Sequence, residues 1–308
     1  MFEPVIFEQS VRSASLNSLQ QAFKSRGAVI LRDLEHTPED LVDLSEIWAA
    51  QDFLGLPSFT QTPQQLIGAN LRRTPLTGYP GVFVASGTAD LFELPLHGEL
   101  YYQYQHPPDL LWFYCATAPT QQGETWLCDG QALFAALPEQ VQTAFLSQKI
   151  VYTRVQSAEN WQRDYQTSDF KALKAFLASQ AIESVLEEDG ALLTRFTTPA
   201  LRWHQGQPVF INNVLPFALR ELSQPDALRA HVRFEDGQKI PSEMVLLIRD
   251  TARQLTCAWP WQTGDILLVD NTRILHGRGT LHPEPRCLYL RMSHLQPQPE
   301  QAGVRSCP

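Results

Sequence analysis

The stretch TGDILLVDNTRILHGR, residues 263–278, holds two apolar runs separated by a short polar segment. The first run, within 265–269, has the length and composition of a buried strand. The polar residues that follow it are typical of a turn. A second strand is then predicted to begin, and it carries His276. This part of the chain is therefore predicted to be β-structure with a histidine on it.

Further strands and helices are expected on both sides of this stretch. Strand-like runs occur at 28–31, 110–116, 125–128, 150–155, 207–211 and 288–292. Helical patterns occur at 16–24, 138–146, 170–188, 216–222 and 242–253. Helices and strands do not alternate regularly along the chain, so a doubly wound parallel sheet is not expected.

The fold class predicted from this order is mainly β with helical additions. An antiparallel double sheet decorated with helices fits the clusters of strands in the middle and at the end of the chain. The linkers are too short and too apolar to mark a domain boundary. We therefore expect a single domain over 1–308, with a helical insertion at about 155–260.

The composition of the chain argues against several classes of partner. Its 308 residues carry a formal net charge of −9 and the basic residues are scattered, so binding to nucleic acid is not expected. No apolar run approaches the length needed to cross a bilayer. The first residues lack the basic start and apolar stretch of a secretory signal, which predicts a cytoplasmic protein. The five cysteines have no CxxC spacing and are expected to be free thiols.

Residues 94–100 read LPLHGEL and place His97 and Glu99 two positions apart. In an extended chain such residues point to one face, so both would face one metal ion, with Gly98 leaving room between them. An imidazole and a carboxylate are two of the three groups in the facial triad of non-haem iron(II) oxygenases. Taken alone the pattern is weak, because on generic grounds two surface polar residues explain it better than a metal site does. Two histidines plus a glutamate also suit zinc, so a zinc hydrolase is an alternative.

A distal histidine followed by an arginine-bearing strand is what a 2-oxoglutarate enzyme needs. His276 would complete the metal face, and an arginine one strand further along would hold the far carboxylate of the cosubstrate in a bidentate pair. Arg286 and Arg291 are the two arginines in that region. His282 is a rival for the distal metal ligand, but it lies in a loop without strand context.

Three blocks of the chain, in this order, resemble the TauD/TfdA-like family of iron(II)- and 2-oxoglutarate-dependent oxygenases. The blocks are 94–99, 107–129 and 264–278. The resemblance implies a distorted double-stranded β-helix, or jelly roll, and a reaction that uses iron(II), 2-oxoglutarate and dioxygen. The residues that it assigns to iron(II) are His97, Glu99 and His276. Thr125, in a Gly-Glu-Thr segment, is assigned to 2-oxoglutarate.

The identity of the carboxylate residue, Glu99, points to particular branches of this family. The commonest residue at this position in the family is aspartate, whereas Glu99 resembles the clavaminate synthase-like and syringomycin-type hydroxylase branches, which act on amino acids, some of them carrier-bound. The resemblance therefore implies hydroxylation of an amino-acid-derived small molecule in specialised metabolism, free or presented by a carrier protein. Desaturation or rearrangement is the alternative outcome, and a non-catalytic metal-binding β-helix protein is the alternative of another class. Family halogenases lack the carboxylate ligand, so halogenation is not expected.

The two arginines depart from the family's usual R-x-x-x-R spacing. Arg286 and Arg291 are five positions apart, so in a regular strand they point to opposite faces. Arg286 follows His276 at about the family's interval and is assigned to the distal carboxylate of 2-oxoglutarate. Arg291 is left as a substrate contact or an alternative cosubstrate contact. The candidates to line the substrate pocket directly follow the metal motif: Tyr101, Tyr102 and Tyr104.

Overall fold

The computed structural model describes residues 2–8, 15–50, 59–60, 73–85, 91–224, 229–283 and 285–295. Its helices are α1 (Leu16–Arg26), α2 (Pro38–Ala50), α3 (Gly130–Ala136), α4 (Glu139–Ser147), α5 (Ala158–Tyr165), α6 (Phe170–Ser179), α7 (Val214–Ser223) and α8 (Ser242–Leu255). Its strands are β1 (Val5–Phe7), β2 (Ala28–Leu31), β3 (Phe59–Thr60), β4 (Val82–Val84), β5 (Leu94–His97), β6 (Leu110–Thr117), β7 (Thr125–Asp129), β8 (Lys149–Gln156), β9 (Ile182–Leu186), β10 (Leu192–Pro199), β11 (Arg202–His204), β12 (Gln207–Val209), β13 (Ala230–Phe234), β14 (Cys257–Trp259), β15 (Ile266–Asp270), β16 (Ile274–Arg278) and β17 (Cys287–Leu295). None of the helices in these ranges has both the length and the apolar character that a membrane crossing requires.

Two sheets form the part of the fold that carries the candidate site. The larger has the strand order β1-β2-β15-β6-β17-β3, with β4 paired to β17, and the smaller has the order β14-β7-β16-β5. One apolar cluster takes side chains from both sheets, among them Leu111, Phe113, Leu127 and Ile274. The two sheets therefore pack face to face over a shared core, as the predicted jelly roll requires.

Side chains alternate between the two faces of the larger sheet, as the period of a strand requires. In β6, Leu111 points into the core between the sheets, whereas Trp112 and Tyr114 point to the opposite face. Helices α1 and α2 cover that opposite face with Leu19, Phe23, Leu41 and Leu44. Nε1 of the fully buried Trp112 donates to Oγ of Ser293 at 3.1 Å, which satisfies the indole proton inside the cluster.

A third sheet, with the order β13-β8-β10-β9, lies between β7 and β14 in the sequence. Its inner face joins helices α3 to α8 in one apolar cluster. The segment predicted as a helical insertion, 155–260, contains α5 to α8 but also the strands β9 to β14. The segment is therefore a mixed layer of helices on a sheet.

The helix predicted at 170–188 is wrong in its second half. Helix α6 ends at Ser179, Ala181 adopts a left-handed conformation with a φ of 57°, and β9 follows. In β9, Ile182 lies opposite Phe196 of β10. A short apolar run fits a helical period as well as a strand period, and here the pairing with β10 decides between them.

The smaller sheet brings distant parts of the chain together. β16 pairs with β7 on one side and with β5 on the other. The register places His276 opposite His97 on β5 and opposite Leu127 on β7. Because directly opposite residues of paired strands share a face, the two histidines point in the same direction.

Candidate active site

The three residues predicted as metal ligands lie together in the interior of the fold. His97 ends β5, Glu99 follows two residues later, and His276 lies in β16. The candidate ligand atoms of the three side chains lie within 4.8 Å of one another, and all three residues are buried. In the part of the chain that the structure describes, no other group of histidine, cysteine and acidic side chains has this spacing.

The spacing and the chemistry of these side chains fit a divalent ion. Nε2 of His276 and Oε2 of Glu99 are 3.5 Å apart, and the ring centroids of His97 and His276 are 4.3 Å apart. Two donors that each lie about 2.1 Å from one ion at right angles are about 3 Å apart, so the first pair is near ligand separation. Two imidazoles and one carboxylate form the donor set of the facial triad, which leaves positions open for reactants. The residues present therefore fit iron(II).

Hydrogen bonds outside the triad orient two of its members. Nδ1 of His97 lies 2.9 Å from the carbonyl oxygen of Pro95, which only accepts, so Nδ1 donates and leaves the lone pair of Nε2 for a metal. The backbone of Glu99 is bonded to Asn271, whose Oδ1 accepts from the Glu99 N–H at 2.8 Å and whose Nδ2 donates to the Glu99 carbonyl at 3.2 Å. The Tyr101 hydroxyl donates to the Asn271 carbonyl at 2.9 Å. Asn271 lies between β15 and β16, so it links both ligand-bearing segments.

Arg73 is the charged neighbour of the triad. Its Nη2 donates to Oε2 of Glu99 at 3.0 Å, and its Nη1 lies 3.7 Å from Sδ of Met292. Burial acts to raise the pKa of Glu99, but Arg73 and His276 outweigh it and hold that pKa below its ordinary value. Burial lowers the pKa of His97 to about 4, and His276 beside it acts in the same direction. Near neutral pH the two residues are therefore a carboxylate and a neutral imidazole, which are the forms that bind a metal ion.

Thr125, Arg278 and Arg286 occupy one corner of the same interior. Oγ1 of Thr125, at the start of β7, accepts a hydrogen bond from Nε1 of Trp261 at 2.9 Å. Arg278 ends β16, is 6% exposed, and has Thr125 as its register partner on β7. Nε of Arg286 donates to the carbonyl of Gly123 at 3.1 Å. Burial lowers the pKa of Arg286 to about 10, and the charge of Arg278 acts in the same direction.

The structure does not bring Arg291 to the triad. Arg291 lies opposite Trp112 in the pairing of β17 with β6, so it shares the face of the sheet that α1 and α2 cover. Its Nη2 lies 3.3 Å from Oε1 of Glu46, and its Nη1 donates to the carbonyl of Pro80 at 3.3 Å. The next residue, Met292, points into the core between the sheets instead. This geometry speaks against the prediction that Arg291 contacts the cosubstrate or the substrate, because the sheet itself lies between them.

The remaining predicted candidates have other surroundings. His282 is exposed and is not part of the metal cluster. Tyr101 and Tyr104 are buried in apolar clusters. Tyr102 is partly exposed, and its ring centroid is 5.1 Å from the guanidinium carbon of Arg154. Of the three tyrosines, Tyr102 therefore stays the candidate for the wall of a substrate pocket.

Four residues of the site were not predicted from the sequence: Arg73, Trp261, Asn271 and Arg278. The signal for Arg278 was present, because it follows His276 by two positions on a predicted strand and so shares its face. Trp261 and Asn271 carry no comparable signal, since their partners Thr125 and Glu99 are 136 and 172 positions away. Arg73 meets Glu99 across 26 positions of irregular sequence, so no period reveals the pair.

The chain is similar to a known protein family and to individual members of it. The family model described as "Taurine catabolism dioxygenase TauD, TfdA family" matches residues 5–293. The chain is 27% identical to the dapdiamide synthesis protein DdaC of Enterobacter agglomerans over 214 residues, which cover 64% of this chain and 65% of DdaC, slightly less than two thirds of that protein. It is 25% identical to the clavaminate synthase-like protein At3g21360 of Arabidopsis thaliana over 299 residues, which cover 92% of this chain and 86% of the relative.

Solved structures share the fold. PvcB from Pseudomonas aeruginosa has a TM-score of 0.54 at 16% identity, covering 94% of this chain and 87% of PvcB. A taurine dioxygenase from Burkholderia xenovorans has a TM-score of 0.54 at 15% identity, covering 95% of this chain and 86% of the other. These likenesses confirm the predicted fold class, a jelly roll with helical additions. Because the family model covers nearly the whole chain, the chain belongs to the TauD/TfdA family of iron(II)- and 2-oxoglutarate-dependent dioxygenases.

Proposed function

We propose that this chain is an iron(II)- and 2-oxoglutarate-dependent oxygenase that hydroxylates an amino acid or an amino-acid-derived small molecule. The observation that carries the proposal is the buried cluster of His97, Glu99 and His276, whose candidate ligand atoms lie within 4.8 Å of one another. Such a donor set holds a divalent ion from one side and leaves the other positions open for reactants. The family match supports the same cofactor chemistry.

In this proposal His97, Glu99 and His276 hold the iron. Iron(II) supplies the activation of dioxygen, which is coupled to the decarboxylation of 2-oxoglutarate to succinate. Arg73 keeps Glu99 ionised, so the triad contributes one negative charge to the ion. The Phe113 ring, with its centroid 5.9 Å from that of His276, forms an apolar wall that helps to exclude water.

Thr125 and Arg286 bind the distal carboxylate of 2-oxoglutarate in this proposal. Both lie in one corner of the interior, where Trp261 donates to the Thr125 hydroxyl and Arg286 contacts the turn before β7. An arginine and a hydroxyl both donate hydrogen bonds, and an ionised carboxylate only accepts them. Their role is to orient the cosubstrate so that its oxo-acid end reaches the metal.

The names of related proteins support an amino-acid-derived substrate. DdaC is named for dapdiamide synthesis, the Arabidopsis relative is named clavaminate synthase-like, and PvcB is described as an oxygenase from an isonitrile synthetic pathway. Glu99, which stands where aspartate is commonest, is the residue that the amino-acid-hydroxylating branches have. We therefore propose a substrate whose carboxyl group is either free or linked to a carrier protein.

Succinate release from 2-oxoglutarate in the presence of iron(II) tests the activity. We expect at least one member of a panel of amino acids, their derivatives and carrier-linked forms to accelerate release above the substrate-free rate. The product mass then separates hydroxylation, which adds one oxygen atom, from desaturation, which removes two hydrogen atoms. His276→Ala should abolish turnover, whereas the exposed His282→Ala should leave it intact.

Three outcomes would contradict parts of the proposal. Full iron-dependent turnover by His276→Ala would remove that residue from the site. Hydrolysis supported by zinc(II) without 2-oxoglutarate would favour a zinc hydrolase instead. Succinate release that responds to a neutral lipid or terpenoid, but to no amino acid in free or carrier-linked form, would overturn the substrate class.

A further inference from the structure

Arg278 points into the same interior as the metal cluster. It follows His276 by two positions on β16, and residues two apart on a strand share a face. The register pairs Arg278 with Thr125, just as it pairs His276 with Leu127. Directly opposite residues have Cβ atoms about 5 Å apart, so the side chain of Arg278 starts beside that of Thr125.

Arg286, directly before β17, reaches the same corner. Its Nε donates to the carbonyl of Gly123, two residues before Thr125. The contact is close, because a Cβ built on Gly123 would lie 3.2 Å from Cδ of Arg286. Arg278 is in turn near enough that its charge depresses the pKa of Arg286. Two largely buried guanidinium groups in one corner repel each other, and an anion placed between them would remove that repulsion.

The hydrogen bond from Trp261 determines whether the Thr125 hydroxyl can donate. Trp261 donates its indole proton to Oγ1 of Thr125 at 2.9 Å, and an indole nitrogen never accepts. The hydroxyl oxygen is therefore the acceptor in that bond, and its own proton is left to be donated. Thr125, Arg278 and Arg286 thus all present donors, which is the pattern that recognises an ionised carboxylate.

We propose that Arg278 is a second arginine on the distal carboxylate of 2-oxoglutarate, shared with Arg286 and Thr125. The inference rests on the proposed function of the site. A carboxylate has about four lone-pair positions, so a bidentate Arg286 and one hydroxyl leave room for a further donor. One Nη of Arg278 also donates to the carbonyl of Phe92 at 2.9 Å, which restrains the guanidinium. Arg278 is thus a residue that selects a dicarboxylic oxo acid over a monocarboxylic one.

The test compares 2-oxoglutarate with 2-oxovalerate, which has the same oxo-acid end and a methyl group in place of the distal carboxylate. Dissociation constants are measured by calorimetry on the manganese(II)-loaded protein, so no turnover is needed. We expect Arg278→Gln to weaken binding of 2-oxoglutarate by about tenfold to a hundredfold, the usual size of a hydrogen-bonded charge. Binding of 2-oxovalerate should stay within about twofold of the unmodified protein, because its methyl group accepts no hydrogen bond from Arg278.

The controls separate the inference from the function on which it rests. If the unmodified protein binds no 2-oxoglutarate, the proposed function fails; if it binds and Arg278→Gln binds equally well, this inference alone fails. Equal weakening of both oxo acids would assign Arg278 a structural role and also overturn the inference. Arg249→Gln, at an arginine paired with Asp250 on the surface of α8, is the matched control for loss of charge and should change neither constant.

A second variant covers the case in which Arg278→Gln does not fold, judged by its melting temperature and its manganese(II) affinity. Arg278→Lys keeps the positive charge but lacks the planar fork that contacts a carboxylate through two N–H groups. We expect this variant to lose about threefold or more in affinity for 2-oxoglutarate and nothing for 2-oxovalerate. An unchanged ratio of the two constants in a folded Arg278→Lys protein would overturn the inference.

Discussion

Glycine stands between His97 and Glu99 because the space at that position is closed on two sides. A Cβ at Gly98 would lie 2.6 Å from a ring carbon of Tyr101 and 2.9 Å from Cγ1 of Ile211. The Tyr101 ring is held in place by its hydroxyl bond, so the backbone has to move instead. We expect Gly98→Ala to cost about 1–3 kcal/mol of folding free energy, as overpacking commonly does. The displaced ligands should also weaken manganese(II) binding in calorimetry.

Gly279, which directly follows β16, provides the control for this substitution. A Cβ at Gly279 would meet its nearest atom, in the Trp126 ring, at 3.5 Å, which is an ordinary contact. Gly279→Ala should therefore leave the melting temperature and the manganese(II) affinity nearly unchanged. Normal metal affinity in Gly98→Ala, or an equal loss in both variants, would show that the tight space between the ligands does not matter.

The ion pair of Arg73 with Glu99 predicts opposite effects on the metal-free and the metal-loaded protein. Arg73→Gln leaves a buried carboxylate without its cation, so the metal-free protein should melt at a lower temperature. The same change removes a positive charge that repels a divalent ion and competes for Oε2. The rise in melting temperature on adding manganese(II) should therefore be larger in Arg73→Gln than in the unmodified protein. Arg73→Lys, which keeps the charge, should lie between them, and identical rises in all three proteins would contradict the prediction.

Residues at short sequence distance were predictable, and those that meet across the fold were not. His97 and Glu99 are two positions apart, so the strand period alone puts them on one face. Asn271, which bonds both the N–H and the carbonyl of Glu99, comes from the opposite end of the chain. Only the pairing of β5 with β16 brings it there, and no local pattern encodes that pairing.

At the scale of elements, an acidic residue ties helix α7 to strand β13. Glu221 accepts two hydrogen bonds from Arg233, at 2.6 and 2.7 Å, and Nζ of Lys239 lies 3.0 Å away. The bonds from Arg233 are the main reason that the pKa of Glu221 is lowered. A carboxyl whose pKa is lowered by folding stabilises the protein above its unfolded pKa, about 4.3, and that stabilisation is lost as the pH falls through the folded value.

Glu221→Gln should therefore destabilise the protein at pH 7 and much less in acid. We expect a loss of about 1–3 kcal/mol in the free energy of unfolding at pH 7, measured by urea denaturation. The difference from the unmodified protein should shrink as the pH drops below the unfolded pKa, about 4.3, and disappear once the pH has passed through the lower folded pKa of Glu221. Glu235→Gln, at a more exposed pair with Lys149, is the control and should change stability by less than about 0.5 kcal/mol. A pH-independent loss in Glu221→Gln would contradict the prediction.

Helices and strands were predictable where a single hydrophobic periodicity runs over enough residues. Strand β15 was expected at 265–269 and is Ile266–Asp270, and helix α1 was expected at 16–24 and is Leu16–Arg26. The segment after Ser179 was predicted as helix but is strand β9. Its five residues pair antiparallel with β10, and only this tertiary pairing shows that they form a strand. Short strands such as β13 and β14 were missed for the same reason, since three to five residues hold too little pattern to exceed chance.

At the scale of the whole molecule, metal binding should stabilise the fold, because the triad joins the end of β5 to β16. A ligand present at a hundred times its dissociation constant adds about 2.7 kcal/mol to the free energy of unfolding. For a chain of 308 residues each kcal/mol corresponds to about 1.5 °C of melting temperature, at about 2.1 cal/mol/K of unfolding entropy per residue. We expect manganese(II) to raise the melting temperature of the unmodified protein and of His282→Ala, but not of His97→Ala or His276→Ala. A rise that persists in both triad variants would place the metal elsewhere.

The architecture was predictable from three separated blocks of sequence, but its third sheet was not. The blocks around His97, Thr125 and His276 lie in the two sheets that enclose the interior, which explains why they carry the resemblance. The sheet formed by β13, β8, β10 and β9 packs outside them against helices α3 to α8. None of its residues belongs to the metal cluster, so the metal-binding motifs give no information about it.

The position of β16 between β5 and β7 also sets the order in which a newly made chain acquires its chemistry. His97 and Glu99 emerge from the ribosome long before His276, and β16 has to pair on both sides before the third ligand is in place. A chain that stops short of β16 carries two ligands without their partner, and a site that is not preformed binds its metal weakly. A cluster of all three candidate ligands therefore forms only after β16 has been made and has paired with both neighbours.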